Sequence, residues 1–406
     1  MSSSLKRVYL GVRRRWLQHK TNQDILRISR QVIRTSPAAT RGPIVIFNAS
    51  TRITGISLNA AYSLLTSWAL RMSGVRVIHA VCHSGMAQCV LGTNRNNLDA
   101  PPPCSACIYQ STTVYSSSET VWFPYQQDEN LVLALDGLGV EALSLFSHND
   151  FPLGQLVLPS IRWALRRHNL VDDEPTRQLF KRYILSAWNV RQHILDIIES
   201  ESPAAVVVFN GMFFPEAVVK RLCREKGIRC ISHEVGLQPL SAFFTDGEAT
   251  AYPIDIPADF VMSDEQDRLL DGYLQQRFQG NFSMAGIRFW PEMKKLEQSF
   301  WDKAARFRQI VPIFTNVIFD TSQGHANVVF SDMFQWLDTV KNIIHEHPDT
   351  LFILRAHPDE SRPGKASRES VADWVQSSGI HKLDNVLFVP PDEYFSSYEI
   401  ITNSKF

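Results

Sequence analysis

The run LFILRAHPDE, Leu351–Glu360, carries four consecutive apolar residues straight into a charged cluster. Leu351, Phe352, Ile353 and Leu354 have the pattern of a strand covered on both faces in a parallel sheet. Arg355, His357, Asp359 and Glu360 follow at once, and Pro358 ends ladder pairing. Open α/β sheets bind ligands beyond the carboxyl ends of their strands. A cation, an imidazole and two carboxylates placed there suit an anionic ligand and a proton transfer. The plainer reading is a polar loop closed by a solvated salt bridge.

Working outward, the strand sits inside a βα series. IVPIFTNVIFD (Ile310–Asp320) opens it, a helix covers Ser331–His347, and another lies near Ser367–Ser377. NVLFVPP (Asn385–Pro391) is the next strand, followed by SSYEIITNSKF. Nucleotide-binding halves of this kind have about five or six strands. Three are found here, and the chain stops just before an expected fourth, near Phe406. Trp290–Arg308 reads as a helix joining this half to an earlier one.

The earlier half alternates in the same way. IVIFNAS (Ile44–Ser50), VRVIHAVC (Val75–Cys82), LVLALDGLG (Leu131–Gly139), AVVVFNG (Ala205–Gly211) and IRCISHEVG (Ile228–Gly236) are its strand signals. Leu58–Met72, stopped by Gly74, a long stretch over Thr176–Ser200, and Pro215–Lys226 are its helices. The alternation predicts two doubly wound, Rossmann-type parallel α/β sheets, the second incomplete. The expected domains are a basic helical segment and linker at 1–42, an acceptor-side domain at 43–289 and a connecting helix at 290–309. A partial nucleotide-sugar-binding domain follows at 310–406.

Net charge is zero over 406 residues, so the total does not call for nucleic acid. The distribution is uneven: Met1–Arg41 holds ten Lys and Arg against Asp24 alone, which leaves the rest of the chain at −9. Leu5, Val8, Tyr9, Val12, Trp16, Ile25, Ile28 and Val32 recur there at near-helical spacing. One reading is an amphipathic helix on an anionic membrane surface; the other is a helix packed on the first domain. No apolar run nears the ~20 residues of a membrane span, and no signal-peptide pattern opens the chain. The expectation is a cytoplasmic enzyme, peripheral to the inner face of the membrane if the first reading of that helix holds.

Two strand ends in the first half stand out. Asn210-Gly211 and His233-Glu234-Val235-Gly236 each follow apolar residues, with Gly allowing close approach of a ligand. Glu234 is a candidate base, or a carboxylate that caps a helix. Four of six cysteines fall in the region 82–107, as Cys82-x6-Cys89-x14-Cys104-x2-Cys107, with Pro101–Pro103 stiffening the loop. That quartet suggests thiolate ligation, with structural zinc first and an iron–sulfur cluster second. Cys223 and Cys230 read as structural.

Two half-sheets whose strand ends line a cleft describe the GT-B glycosyltransferase architecture. The segments FNGMFFPEAVVKRLCREKGIRCISHEVG, GNFSMAGIRFWPEM, IFTNVIFDTSQGHANVVF and LFILRAHPDESRPGKASRESVADWV resemble bacterial capsule and surface-polysaccharide biosynthesis proteins. RAHPDE…RPGK…S is the most specific part, and His357-Pro358 also matches the His-Pro pair of capsule Kdo transferases. The resemblance implies GT-B transfer of sugar from a nucleotide-activated donor to a glycan or lipid-linked acceptor. It also implies a longer C-terminal half, since family members run on past the position of Phe406. Arg355, Arg362 and Lys365 would then neutralise donor phosphates, and His357 would hydrogen-bond them or the leaving oxygen. Thr315, Asn316, Thr321, Asp359 and Glu360 would complete the donor site. Glu234 would serve as base beside cleft residues Asn210, Gly211, His233 and Gly236. A nucleotide-sugar epimerase of GT-B fold and a non-catalytic scaffold in polysaccharide assembly or export are the rival functions.

Overall fold

A computed structural model describes residues 3–50, 56–238, 240–279, 294–364, 366–393 and 396–405, with side chains at 3–8, 325 and 326 set aside. The chain divides into two compact units. Met1–Ala164, Leu170–Gly236 and Ser241–Pro253 form the first; Leu165–Asn169, Leu237–Leu240 and Ile254–Phe406 form the second.

The first unit begins with helix α1 (Ser3–Thr35) and strand β1 (Arg41–Asn48). Helix α2 (Leu58–Met72) starts where Ser57 Oγ accepts the Ala60 N–H at 3.1 Å and stops at Gly74, whose φ is +75°. β2 (Val75–Cys82), α3 (Cys104–Val114) and β3 (Glu119–Phe123) follow. A helical stretch then runs through α4 (Glu129–Ala134), α5 (Val140–Leu145), α6 (Leu153–Leu165) and α7 (Glu174–Glu201). β4 (Ala205–Phe209), α8 (Phe214–Glu225), β5 (Arg229–Val235) and β6 (Ala242–Thr245) complete the unit.

Strand order is β3-β2-β1-β4-β5-β6, parallel throughout except for β6. This is the order of the doubly wound dinucleotide-binding fold, with its switch point between β1 and β4. Val45, Ile46, Val206 and Val208 are fully buried, as strands covered on both faces require. Helix α7 buries Leu179, Phe180, Tyr183, Ile184 and Val190 and contacts α4, α5 and α8.

LVLALDGLG is not a strand. Asp128 accepts the Leu131 N–H at 3.0 Å and caps α4, and Gly137, at φ +69°, turns the chain just beyond it. Short apolar runs leave helix and strand undecided, and here the cap decides for helix. The outer strand is instead ETVWF in β3, paired in register with β2.

The second unit holds α9 (Asp264–Phe278), α10 (Gln298–Ala304), β7 (Gln309–Phe314), α11 (Gln323–Ala326) and α12 (Met333–Glu346). β8 (Thr350–Arg355), α13 (Val371–Ser378), β9 (Val386–Val389) and α14 (Ser397–Thr402) follow. Its sheet is parallel, in the order β7-β8-β9. All six residues of β8 are buried, and Leu351 and Ile353 pack with Phe300, Ile310, Val389 and Ile400. Of the helix expected over Trp290–Arg308, the described residues form only the short α10; 294–297 and 305–308 are not helical, and 290–293 lie outside the described residues.

The packed reading of the N-terminal helix holds for the later part of α1: Ile25 and Val32 meet Leu64, Trp68, Val114 and Tyr115. Earlier, Tyr9, Val12 and Trp16 are exposed beside Arg13, Arg14 and Arg15. No helix among the described residues is long and apolar enough to cross a membrane.

Candidate functional site

The carboxyl ends of β7 and β8 gather the polar residues of the second unit. Thr315 follows β7, and both its N–H and its Oγ1 donate to the Arg355 carbonyl at 3.1 Å, locking the two strand ends together. It is buried and acts as a structural tie. Thr321 is buried as well. In the turn between them, Asn316 Oδ1 accepts the Val317 N–H at 2.7 Å and Asn316 Nδ2 reaches Ser322 Oγ at 3.5 Å. Ser322 Oγ in turn donates to Asp320 Oδ2 at 2.6 Å.

Arg355 ends β8 with its guanidinium largely buried, and Nη1 donates to the Glu393 carbonyl at 3.3 Å. Burial lowers its pKa, partly offset by the nearby Glu393 carboxylate. His357 comes two residues later. Its Nδ1 accepts the Asp359 N–H at 3.1 Å, so the neutral ring carries its proton on Nε2. Burial holds its pKa below the ordinary value; Asp359 and Asp320 pull it up, and Arg355 pushes it down. A neutral imidazole that donates through Nε2–H is the result.

Asp359 also pairs with Arg362 Nη1 at 3.4 Å. Glu360 turns away from this group. Its Oε1 accepts the Val371 N–H at 2.8 Å, capping α13, and its backbone carbonyl accepts the Ser367 N–H. Burial pushes its pKa up to about 7, and its Oε2 has no hydrogen-bond partner. Glu360 therefore anchors the loop through Oε1 and its carbonyl. Lys365 lies outside the described residues.

In the first unit, Asn210 and Gly211 follow β4 with φ of +56° and +84°. Asn210 Nδ2 donates to Glu234 Oε2 at 2.8 Å, while Glu234 Oε1 accepts the Val235 N–H at 2.8 Å. Glu234 is half-buried, and its charge, after burial, raises the pKa of Tyr252. His233, adjacent in β5, points to the other face of the sheet. Its position is in the core: it is fully buried, Nε2 lies 3.1 Å from Ser63 Oγ, and its ring packs between Phe209 and Phe244. Gly236 also serves the fold. A Cβ there would collide with Ser241, whose carbonyl accepts the Gly236 N–H at the turn into β6. Sequence alternation assigns His233 and Glu234 to opposite faces, but which face is covered depends on α2, far away in the chain.

Asp320 and Ser322 were not anticipated as members of the second unit's group. The signal was available in IFTNVIFDTS, where polar residues cluster after the strand. A buried network at the β1 and β2 ends was also missed. His79 joins Ser67 Oγ at 2.8 Å and Asn48 Nδ2 at 3.2 Å, and Tyr115 donates to Asn48 Oδ1 at 2.7 Å. Burial pushes the His79 pKa down to about 3, which suits a neutral structural residue.

No protein-family model matches the chain, and no curated protein matches it. Among solved structures it is similar to a UDP-N-acetylglucosamine 2-epimerase, at 11% identity over 90% of this chain and 74% of that one, with a TM-score of 0.24. A putative UDP-N-acetylglucosamine 2-epimerase from Listeria monocytogenes gives 9% identity, 90% and 73% coverage, and the same TM-score. Tyrosyl-tRNA synthetase complexed with L-tyrosine from Archaeoglobus fulgidus gives 12% identity and a TM-score of 0.24. That match covers 50% of this chain, which spans 54% of the synthetase. The α/β fold rests on the strand order of the two sheets, not on these likenesses.

Cys82, Cys89, Cys104 and Cys107 line one small cavity of the first unit. All four are free thiols, and burial pushes Cys82 up to about 12 and Cys89 up to about 11. Thiols held neutral in this way are poor nucleophiles at neutral pH. Among the described residues no three His, Cys, Asp or Glu are disposed around a single metal ion. Cys223 and Cys230 lie apart from this group and hydrogen-bond to each other between α8 and β5.

Proposed function

We propose that the chain is a glycosyltransferase of surface-polysaccharide biosynthesis, its second unit holding the phosphates of a nucleotide-sugar. The observation that carries this reading is the pairing of Arg355 with a neutral His357, whose Nε2–H is a donor beyond the carboxyl end of β8. Arg355 supplies positive charge, Arg362 extends it, and His357 donates to a phosphate oxygen or to the leaving oxygen. Lys365, next along the chain, adds a further cation to the same reading.

In the transfer, an acceptor hydroxyl oxygen attacks the anomeric carbon. The bond from that carbon to the phosphate oxygen breaks, and its electron pair leaves with the nucleotide. A base takes the hydroxyl proton; the candidate from the sequence is Glu234, which Asn210 and a backbone N–H hold within the first unit. The acceptor is a glycan or a lipid-linked sugar. The exposed Tyr9, Val12 and Trp16 beside Arg13–Arg15 suit peripheral contact with an anionic membrane, where a lipid-linked acceptor would sit.

The test is incubation with a panel of nucleotide-sugars, with and without glycan or lipid-linked acceptors, following both sugar transfer and isomer formation. Transfer that requires acceptor supports the proposal. Acceptor-free formation of an epimer overturns it in favour of an epimerase, and absence of nucleotide binding overturns it in favour of a scaffold.

A further inference from the structure

Cys223 and Cys230 stand apart from both groups of site residues, where α8 turns into β5. Gly227, with φ of +68°, reverses the chain, and the Ile228 N–H donates to the Cys223 carbonyl at 2.8 Å. This turn lays the start of β5 back along the end of α8, and the two elements pack together. Lys220 and Cys223, three residues apart, share one face of the helix. Cys230 and Ser232, two apart, share one face of the strand. The two faces meet. A Cβ at Gly211 would stand 3.7 Å from Lys220 Nζ and 3.8 Å from Ser232 Cβ, and the thiols of Cys223 and Cys230 hydrogen-bond to each other.

The charged groups around the pair are few. Lys220 Nζ forms an ion pair with Glu248 Oε1, and Arg229, at the start of β5, binds Asp246 at 2.9 Å. Lys220 favours a thiolate at Cys230, while Glu248 and Asp246 oppose it.

The two sulfurs are unequal. Cys223 is fully buried, whereas Cys230 is half-buried. The hydrogen bond from Cys223 holds the Cys230 pKa below its ordinary value, with Lys220 adding to it and burial working against it. The same hydrogen bond, followed by burial, pushes the Cys223 thiol up. One thiol is thus reachable and inclined to ionise; its partner is shielded, neutral and in contact with it. An attacking cysteine and a resolving cysteine stand in this relation.

We propose that Cys223 and Cys230 are a redox-active dithiol, which a peroxide converts to a disulfide. The Cys230 thiolate attacks one peroxide oxygen. An S–O bond forms, the O–O bond breaks and hydroxide leaves, so that Cys230 becomes a sulfenic acid. The Cys223 sulfur then attacks the Cys230 sulfur. The S–S bond forms, the S–O bond breaks, and the hydroxyl departs with the electron pair and takes up the Cys223 proton as water. The proton that Cys230 gave up neutralises the first hydroxide. With hydrogen peroxide, two thiols lose two electrons in all and one peroxide is reduced to two waters. The new bond ties the end of α8 to the start of β5 across a turn that the chain already makes.

The test uses the whole chain, reduced, freed of reductant and exposed at neutral pH to hydrogen peroxide in small excess. The protein is then alkylated and mapped by peptide mass spectrometry. Expected is a Cys223–Cys230 disulfide that dithiothreitol reverses. Cys82 and Cys89, whose thiols burial keeps neutral, should be consumed at least ~tenfold more slowly. In Cys223→Ser the sulfenic acid at Cys230 should persist and be captured by dimedone. In Cys230→Ser, Cys223 should stay a thiol. The wild-type map decides the matter even where a serine variant fails to fold. A map in which Cys223 stays a thiol, whether or not other cysteines oxidise, overturns the proposal. So does a disulfide that joins Cys223 or Cys230 to any other cysteine.

Discussion

His233 and His357 follow the same sequence logic and end in opposite environments. Each comes after buried strand residues in a parallel sheet and has a carboxylate within two positions. His233 remains inside β5, where it pairs with Phe209 of β4 on one side and Phe244 of β6 on the other, and β6 carries the ladder on through Val235. The pleat then sends His233 to one face, against Ser63 and two phenylalanines, and Glu234 to the other. His357 lies past the last residue of β8, where Pro358 stops the ladder and the Asp359 N–H fixes the ring. An imidazole within the ladder is a core residue, and one just beyond it is free to serve chemistry. What separates them is the reach of the neighbouring strands: β4 and β6 both pair with His233, whereas the ladder of β8 ends at Arg355, two residues before His357.

The largest expected effect is on the His233 side of this comparison. His233→Ala removes a fully buried ring and leaves Ser63 Oγ without that partner. Cavity and lost hydrogen bond together should cost about 3 kcal/mol of stability. Thermal and urea unfolding measure this, and nucleotide affinity at a temperature where the variant is folded should match wild type. An unchanged unfolding midpoint would show that the ring is not part of the core.

Next in size is the His357 side. One charge-assisted contact to a phosphate contributes about 1.5–3 kcal/mol, so His357→Ala should weaken nucleotide-sugar binding or slow turnover by roughly ten- to a hundredfold. Its unfolding free energy should stay within about 0.5 kcal/mol of wild type, as for a residue outside the core. Isothermal titration beside a melt tests both halves of the statement. A stability loss with unchanged affinity would make His357 a second His233 and remove the observation on which the donor site rests.

How much of this was legible in the sequence follows from the range of the forces involved. Helix α2 and strand β2 match their sequence boundaries to the residue, because Ser57 caps one and Gly74 ends it before the other begins. Such signals act within four residues. LVLALDGLG misled because a run of that length fits strand and helix alike, and the cap at Asp128 lies outside it. The outer strand ETVWF escaped notice since half-buried edge strands carry little pattern. At the candidate donor site, Arg355 and His357 were readable from strand and proline. Glu360 was not, because its partner, the Val371 N–H, belongs to a helix that starts eleven residues on. Likewise the four cysteines of region 82–107 were legible as a group, and they do line one cavity, whereas the Gly85 and Gly92 N–H groups that donate to the Cys82 and Cys89 sulfurs emerge only in three dimensions.

The smallest expected effect sharpens the comparison through pH. Glu360 has a folded pKa of about 7 and Glu216 of about 8, both raised by burial from 4.5. Between pH 5 and pH 6 the folded chain holds these two protons and the unfolded chain has largely released them, so their contribution falls as pH rises. His233 at about 4 and His79 at about 3 are lowered from 6.5. Over the same interval the unfolded chain binds their protons and the folded chain does not, so their contribution rises with pH. Two groups of each sign nearly cancel. Glu360→Gln keeps an acceptor for the Val371 N–H and removes one falling contribution. Relative to wild type, its stability should then rise by about 1 kcal/mol from pH 5 to pH 6, near the limit of 1.36 kcal/mol per unit for one proton. His233→Ala, which deletes a rising contribution, should tilt the other way by a similar amount on top of its constant loss. Urea titrations at the two pH values for all three proteins give both differences. If the Glu360→Gln difference is the same at pH 5 and pH 6, its carboxyl ionises in the folded chain as it does in the unfolded one. Glu360 would then sit in a wetter, more open loop than its burial indicates, and it would rejoin Asp359 as a group able to meet a ligand.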